Sequence, residues 1–129
     1  MKQRGFTVIE LLSLVLLLVV IGAVFWSQKT NIETAARDDK RKTAINSMYY
    51  NLEEVYYPTH KNYPKVLSSS TLTSVDPTIF KDPNGKVLGK ADSDYRYEGK
   101  DCVENGCKSY ILRTKLQNEA DYTKESRNK

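Results

Sequence analysis

Residues 6–26 read FTVIELLSLVLLLVVIGAVFW, and from residue 11 onward this stretch is interrupted only by Ser13 and Gly22. As an α-helix, these 21 residues span about 31 Å, which matches the ~30 Å hydrocarbon core of a bilayer. Trp26 falls where an aromatic side chain would anchor the helix at the membrane surface. The stretch therefore predicts a single membrane-spanning helix.

The composition of the chain changes after this stretch. Of 51 hydrophobic residues in the 129-residue chain, 18 lie in the first 26 positions and 33 in the other 103. The length excludes a multidomain enzyme, and the segregation excludes a fully soluble protein. Lys2 and Arg4 supply half of the net charge of +4, and they favour a cytoplasmic N-terminus with everything after Trp26 outside. The remaining charges are mixed, which favours a solvated surface and gives no support to a nucleic-acid partner.

Two ordinary targeting signals fit the N-terminus poorly. A secretory signal peptide has a shorter apolar region that ends in small residues, whereas residues 25–28 are Phe-Trp-Ser-Gln. A plain signal anchor fits better but leaves Glu10 unexplained, because a carboxylate inside a membrane helix costs about 2.5–3.5 kcal/mol. This cost indicates a partner for Glu10, although a charge that snorkels to the membrane surface is the simpler alternative.

The leader Lys2-Gln3-Arg4-Gly5 and the following residues 6–12, FTVIELL, resemble the type IV pilins and pseudopilins. In that family a prepilin peptidase cuts after the glycine on the cytoplasmic side and methylates the new N-terminal phenylalanine. The resemblance covers about 25 residues closely. It implies cleavage between Gly5 and Phe6 and N-methylation of Phe6. It also implies an assembly role for Glu10, whose carboxylate would neutralise the Phe6 amine of a neighbouring subunit and fix the register between subunits.

The resemblance implies a structural subunit and no enzyme, without cofactors. Its expected partners are other pilins, in a homo- or hetero-oligomer, the prepilin peptidase and the inner-membrane assembly platform. The protein would be stored in the cytoplasmic membrane by one helix and then assembled into an extracellular filament. Twitching pilus, competence pilus and type II secretion pseudopilus all remain open. Two alternatives are a minor pilin whose head binds DNA, a surface or a secretion substrate, and a signal-anchored protein that never polymerises.

The helix is expected to continue beyond the membrane until Pro58, the first proline. Apolar residues between positions 45 and 56 recur at helical spacing and draw one face: Ile45, Met48, Tyr49, Leu52, Val55 and Tyr56. The charge run at residues 37–42 is interpreted as a solvated helix face. Relatives often carry a proline in the membrane half. Here Gly22 alone could mark a point that loosens on assembly, or else a close helix–helix contact.

The sequence after residue 57 predicts a loop and a small antiparallel sheet, so the predicted class is α+β. A turn is predicted at residues 82–85, with strands at residues 86–88, 95–98 and 109–116. The tail is polar and is expected to be frayed or disordered. The predicted organisation is a leader (1–5), a transmembrane and filament-core helix (6–26), an amphipathic continuation (27–57), a head (58–116) and a tail (117–129).

Cys102 and Cys107 flank an Asn-Gly pair, the strongest short hairpin signal. If Asn105 and Gly106 alone form the turn, Glu104 faces Cys107 and the sulfurs are offset. A four-residue loop instead places Cys102 opposite Cys107, and a disulfide is favoured in that arrangement. Two free thiols are the alternative, and a metal site lacks further ligands.

Catalytic and metal signals are weak. His60 has no evident partner, and Asp92 and Asp94 flank Ser93 in what reads as a solvated turn. Some pseudopilins bind calcium in the head, which makes Asp92 and Asp94 weak candidates together with three further acids, Glu98, Asp101 and Glu104. Their spacing matches no established calcium loop.

Overall fold

The computed structural model describes residue 5 and residues 7–128. Within them the chain forms helix α1 (Val8–Asn51), a π-helical turn (Leu52–Tyr56), helix α2 (Tyr57–His60), a 3₁₀ turn (Pro77–Phe80) and strands β1 (Tyr95–Val103), β2 (Gly106–Thr114) and β3 (Tyr122–Glu125). The strands form an antiparallel sheet in the order β1-β2-β3, which packs against the long N-terminal helix and confirms the α+β class. The chain divides into two compact units, residues 1–34 and residues 35–129.

The helical segments end later than the proline pattern predicted. Pro58 lies inside α2, and the predicted break at this residue is wrong. The π-helical turn directly precedes α2, and the Tyr57 N–H donates to the Leu52 carbonyl across this wider turn. The wider turn accommodates a residue that has no N–H to donate. The helix ends where Lys61 adopts a left-handed conformation with φ 59°.

The predicted apolar stripe of the helix lies in the core of the second unit, except at one residue. Ile45, Met48 and Leu52 are fully buried, as predicted. Val55, predicted to lie on the same face, is exposed because the wider π-helical turn changes the helical phase there. Loop and sheet side chains complete the core, namely Tyr63, Leu67, Leu72, Phe80, Leu88, Tyr95, Cys107, Tyr110 and Leu112.

Two members of the charge run are buried, so the prediction of a solvated face is wrong for them. Asp38 and Arg41 are 3% and 1% exposed. The Arg41 guanidinium donates to Asp38 at 3.0 Å on one side and to Asp94 at 2.8 Å on the other. Although burial favours the protonated acid, hydrogen bonds from the backbone N–H groups of Gln117 and Asn118, together with the Arg41 charge, lower the pKa of Asp38.

One predicted strand, next to the turn at residues 82–85, is absent. The two other predicted strands differ from the prediction in their bounds. Residues 86–88 form no strand and make only an isolated bridge, between Lys81 and Val87. The strand predicted at residues 95–98 lies within β1, and the strand predicted at residues 109–116 overlaps β2, which begins at Gly106 and ends at Thr114. The predicted face is confirmed, because Tyr110 and Leu112 are buried and alternate with more exposed residues in β2, and Leu116, beyond the end of the strand, is buried too.

The C-terminal tail is ordered, contrary to prediction. It contains β3, which pairs with β2 over residues 111–114. Among its other contacts, those with α1 lie on residues spaced four, four and three apart: Asp38 accepts from the backbone of Gln117 and Asn118, Lys42 pairs with Glu119, Asn46 accepts from Tyr122, and Tyr49 accepts from Arg127. Because these helix residues recur at helical spacing, one polar stripe of α1 binds a tail that has few apolar residues of its own.

Replacing Arg41 tests the importance of the buried ion pair. In Arg41→Ala, the Asp38 carboxylate stays buried without a cation, which should lower the free energy of unfolding by about 3–5 kcal/mol. Lys42→Ala is the matched control, since the partly exposed Lys42–Glu119 pair should be worth ~1 kcal/mol or less. Urea unfolding of the full chain in detergent, followed by tyrosine near-UV circular dichroism, compares the two. Equal losses would contradict the assignment.

Candidate assembly surface

The first unit presents a continuous apolar helical surface. Between residues 8 and 26 the large apolar side chains are exposed by between 43% (Ile21) and 79% (Trp26). The helix is long and apolar enough to span a membrane. Apolar area of this extent is stable only against lipid or another protein. The surface therefore needs a non-aqueous neighbour.

Glu10 is joined to Thr7 at the start of α1. Its Oε2 accepts hydrogen bonds from the backbone N–H and the hydroxyl of Thr7, each at 2.9 Å, and the Thr7 hydroxyl oxygen accepts from the Glu10 N–H at 3.4 Å. This reciprocal arrangement is a capping box, which satisfies two N–H groups that have no intrahelical partner. The sequence signal was present as Thr-x-x-Glu at residues 7–10, but its capping role was not predicted.

The predicted processing site falls at the edge of the described chain. Gly5 is exposed and lies before the helix. Phe6, the predicted site of N-methylation and the other half of the predicted cleavage bond, lies outside the described residues. Cleavage and methylation here stay predictions.

Cys102 and Cys107 form a disulfide. They are directly opposite each other in the β1–β2 register, and Val103 pairs with Gly106 beyond them. The connecting turn therefore consists of residues 104 and 105, so neither predicted loop has the right extent, although the four-residue loop predicted the correct pairing. Cys107 also exchanges two backbone hydrogen bonds with Tyr63, at 2.9 and 2.8 Å. These backbone hydrogen bonds connect the end of the hairpin to the loop that follows α2.

Gly99 makes room for this disulfide. A Cβ at this position would lie 2.5 Å from the Cys107 sulfur and 3.0 Å from the Cys102 sulfur. Both distances are too short for any side chain to be added without displacing the bridge. The disulfide in this position therefore requires a glycine at residue 99.

Asp92 and Asp94 are held by different cations. Asp92 pairs with Lys86 at 2.6 Å, and this hydrogen bond lowers the pKa of Asp92. Asp94 pairs with Arg41, and Ser93 between the two acids is buried. In residues 5 and 7–128, no group of three or more His, Cys, Asp or Glu side chains is arranged to hold a metal ion. Nothing in this arrangement supports a cation shared by Asp92 and Asp94.

A second buried carboxylate, in the π-helical turn of the second unit, was not predicted. Glu53 is 6% exposed and accepts hydrogen bonds from the hydroxyls of Tyr63 at 3.0 Å and Tyr110 at 2.9 Å. Burial, followed by the nearby Glu53 charge, raises the pKa of Tyr110. Burial also raises the pKa of Tyr63 to about 12. Both phenols therefore stay protonated at neutral pH and remain donors to Glu53.

His60 makes only local contacts. Its ring stacks on Tyr56 with 4.1 Å between centroids, and its Nδ1 lies 3.0 Å from the Tyr56 carbonyl oxygen. These contacts are those of a helix-terminal residue.

The fold and this surface define a class: an α+β head and a long N-terminal helix whose exposed apolar part could span a membrane. Comparisons of the chain with protein-family models, with curated proteins and with solved structures found no match.

Replacing Gly99 tests the packing of the disulfide. Gly99→Ala should lower the free energy of unfolding by about 1–3 kcal/mol, because the added methyl displaces both sulfurs. The same substitution in a Cys102→Ala/Cys107→Ala background should cost much less, since the sulfurs that it meets are gone. The four proteins form a double-mutant cycle, measured by urea unfolding. A coupling energy near zero would show that the methyl and the bridge do not compete.

Proposed function

We propose that the protein is a pilin-like structural subunit that is stored in the cytoplasmic membrane and polymerises through its N-terminal helix into an extracellular filament. Under this proposal it is a type IV pilus or pseudopilus subunit, processed by a prepilin peptidase and moved by an inner-membrane assembly platform. Its activity is self-association, and no catalytic step is assigned to it. The observation that carries the proposal is the exposed apolar helix surface with one carboxylate near its start.

The apolar surface supports both states of such a subunit. In the membrane, lipid chains cover residues 8–26, and in a filament the same side chains of neighbouring subunits cover each other. Moving the helix from the membrane into the filament replaces contacts with lipid by contacts with other apolar side chains. Apolar burial alone therefore contributes little free energy to assembly and does not fix the axial register between subunits. A polar interaction must fix how far one subunit is displaced along the next.

Glu10 is suited to this role because it is the acid of the apolar stretch. Cleavage between Gly5 and Phe6 would create an amine in apolar surroundings, and the Glu10 carboxylate of a neighbouring subunit would neutralise it. A buried pair of this kind contributes more to register than to stability. Before assembly, the contacts with Thr7 give the carboxylate two hydrogen bonds within its own chain.

Substitutions at residues 7 and 10 separate the charge of Glu10 from its capping role. Glu10→Gln keeps an oxygen that can accept from Thr7 but removes the charge, and Glu10→Ala removes both. Because an unpaired buried charge costs about 3–5 kcal/mol, both variants should give at least about 100-fold less filament while inserting into the membrane normally. Thr7→Ala removes the cap alone, at a cost of about 0.5–2 kcal/mol in helix stability, and should still assemble.

Quantitative immunoblotting of sheared filaments and of the membrane fraction measures the effect. Glu104→Gln is the matched control, since it neutralises an exposed acid in the β1–β2 turn, outside the N-terminal helix. Normal assembly of Glu10→Gln would refute the charge role. Failure of Thr7→Ala together with assembly of Glu10→Gln would assign Glu10 to capping.

Intact mass and N-terminal sequencing test the processing step directly. The expected mature chain lacks residues 1–5 and begins with N-methylated Phe6. An uncleaved Met1 on the membrane-bound protein, with no filaments, would instead indicate a signal-anchored protein that does not polymerise. The amount of the protein in purified filaments separates a major subunit, which forms their bulk, from a minor one.

A further inference from the structure

The head contains an open cleft that the proposed function has not used. It has a volume of about 520 Å³ and lies between α1 and the loop at residues 78–85. This volume is within the range of roughly 300–1,000 Å³ that is typical of ligand pockets. Ala44, Ile79 and Tyr95 supply apolar side chains to its walls.

The charged side chains around this cleft have no ion-pair partner within the described chain. Asp39, Lys40 and Lys81 line the cleft, and none of them belongs to an ion pair formed among residues 7–128. An apolar cleft that is bordered by available charges of both signs suits a protein segment with one large apolar side chain and flanking charges.

A segment of this description lies on the first unit of the same chain. Trp26, the sole tryptophan, is 79% exposed and lines one depression together with Lys29, Thr30 and Glu33. Neither Lys29 nor Glu33 forms an ion pair with another described residue. These residues are three to seven positions from Trp26, so they share its side of the helix.

We propose that the cleft binds Trp26 of a second copy of this chain, with Lys29 of that copy next to Asp39 and Glu33 next to Lys81. The inference rests on the proposed function, since Trp26 reaches another head only after its helix has left the membrane. Tryptophan buries the largest apolar area of any side chain and is enriched among the residues that dominate interfaces. The contact adds a head-to-helix interaction to the helix-to-helix contacts of the filament and gives the head a part in assembly.

Photo-crosslinking in filaments of the full chain tests the proposal. Trp26→p-benzoylphenylalanine should yield a covalent dimer on irradiation, and peptide mapping should locate the link at residues 39–44 or 78–85 of the second copy. The same probe at Phe25, which is 71% exposed but lies about 100° from Trp26 around the helix axis, is the control and should not label these residues. Links from position 26 only to residues 8–26 of other copies, only within one chain, or only to lipid would overturn the proposal.

A charge exchange tests the flanking pair. In the probe background, Lys29→Glu and Asp39→Lys should each reduce the cross-link to the cleft by roughly fivefold or more, because like charges then face each other. The double variant should restore it. Both side chains are exposed, so folding should be unchanged, which thermal unfolding checks. Failure of the double variant to restore the cross-link would exclude the pairing of Lys29 with Asp39.

The two proposals fail in distinguishable ways. If the unmodified protein forms no filaments and keeps Met1, the proposed function fails. If filaments form and contain processed Phe6 but position 26 links elsewhere, the function stands and only the cleft contact is wrong.

Discussion

The head depends on the placement of one cation, the guanidinium of Arg41. It is 1% exposed and lies between the carboxylates of Asp38 and Asp94, which come from α1 and from the segment before β1. Asp38 in turn accepts the backbone N–H groups of Gln117 and Asn118. Arg41 and Asp38 therefore connect α1, the segment before β1 and the C-terminal segment. Removing one partner would leave a buried charge unpaired, which would destabilise the fold. Other polar contacts of the tail lie farther along the same helix, at Lys42, Asn46 and Tyr49, and on Tyr63 and Tyr110 of the loop and the sheet.

The N-terminal unit obeys a different constraint, because its apolar side chains need a non-aqueous neighbour. Glu10 is the exception, and its contacts with Thr7 suggest how it is accommodated. Under the proposed function, the carboxylate has a local partner while the subunit is in the membrane and exchanges it for an amine on assembly. Under that proposal the carboxylate is hydrogen-bonded in both states, so neither state leaves it without a partner in apolar surroundings.

The features that could be predicted from the sequence are those determined by residues close to one another in the chain. The exposed apolar surface of residues 8–26 follows from the length of the apolar run, whereas the core face of Ile45, Met48 and Leu52 and the buried face of β2 follow from the periodicity of apolar residues. The disulfide pairing also followed from local geometry, because only six positions, 102–107, are involved. The capping box was equally local and was missed, since Glu10 had been interpreted only as a charge in an apolar helix.

The tertiary structure decided which polar residues are buried. Composition predicts a solvated helix face for residues 37–42 and a frayed tail for residues 117–129, yet Asp38 accepts from backbone N–H groups that lie 79 and 80 positions away in the chain. Local periodicity carries no information about contacts at that separation. The sequence by itself determined where apolar side chains must leave water. The fold alone decided which charged side chains are buried. A buried charge is tolerated only where other groups, here distant in the chain, supply its hydrogen bonds.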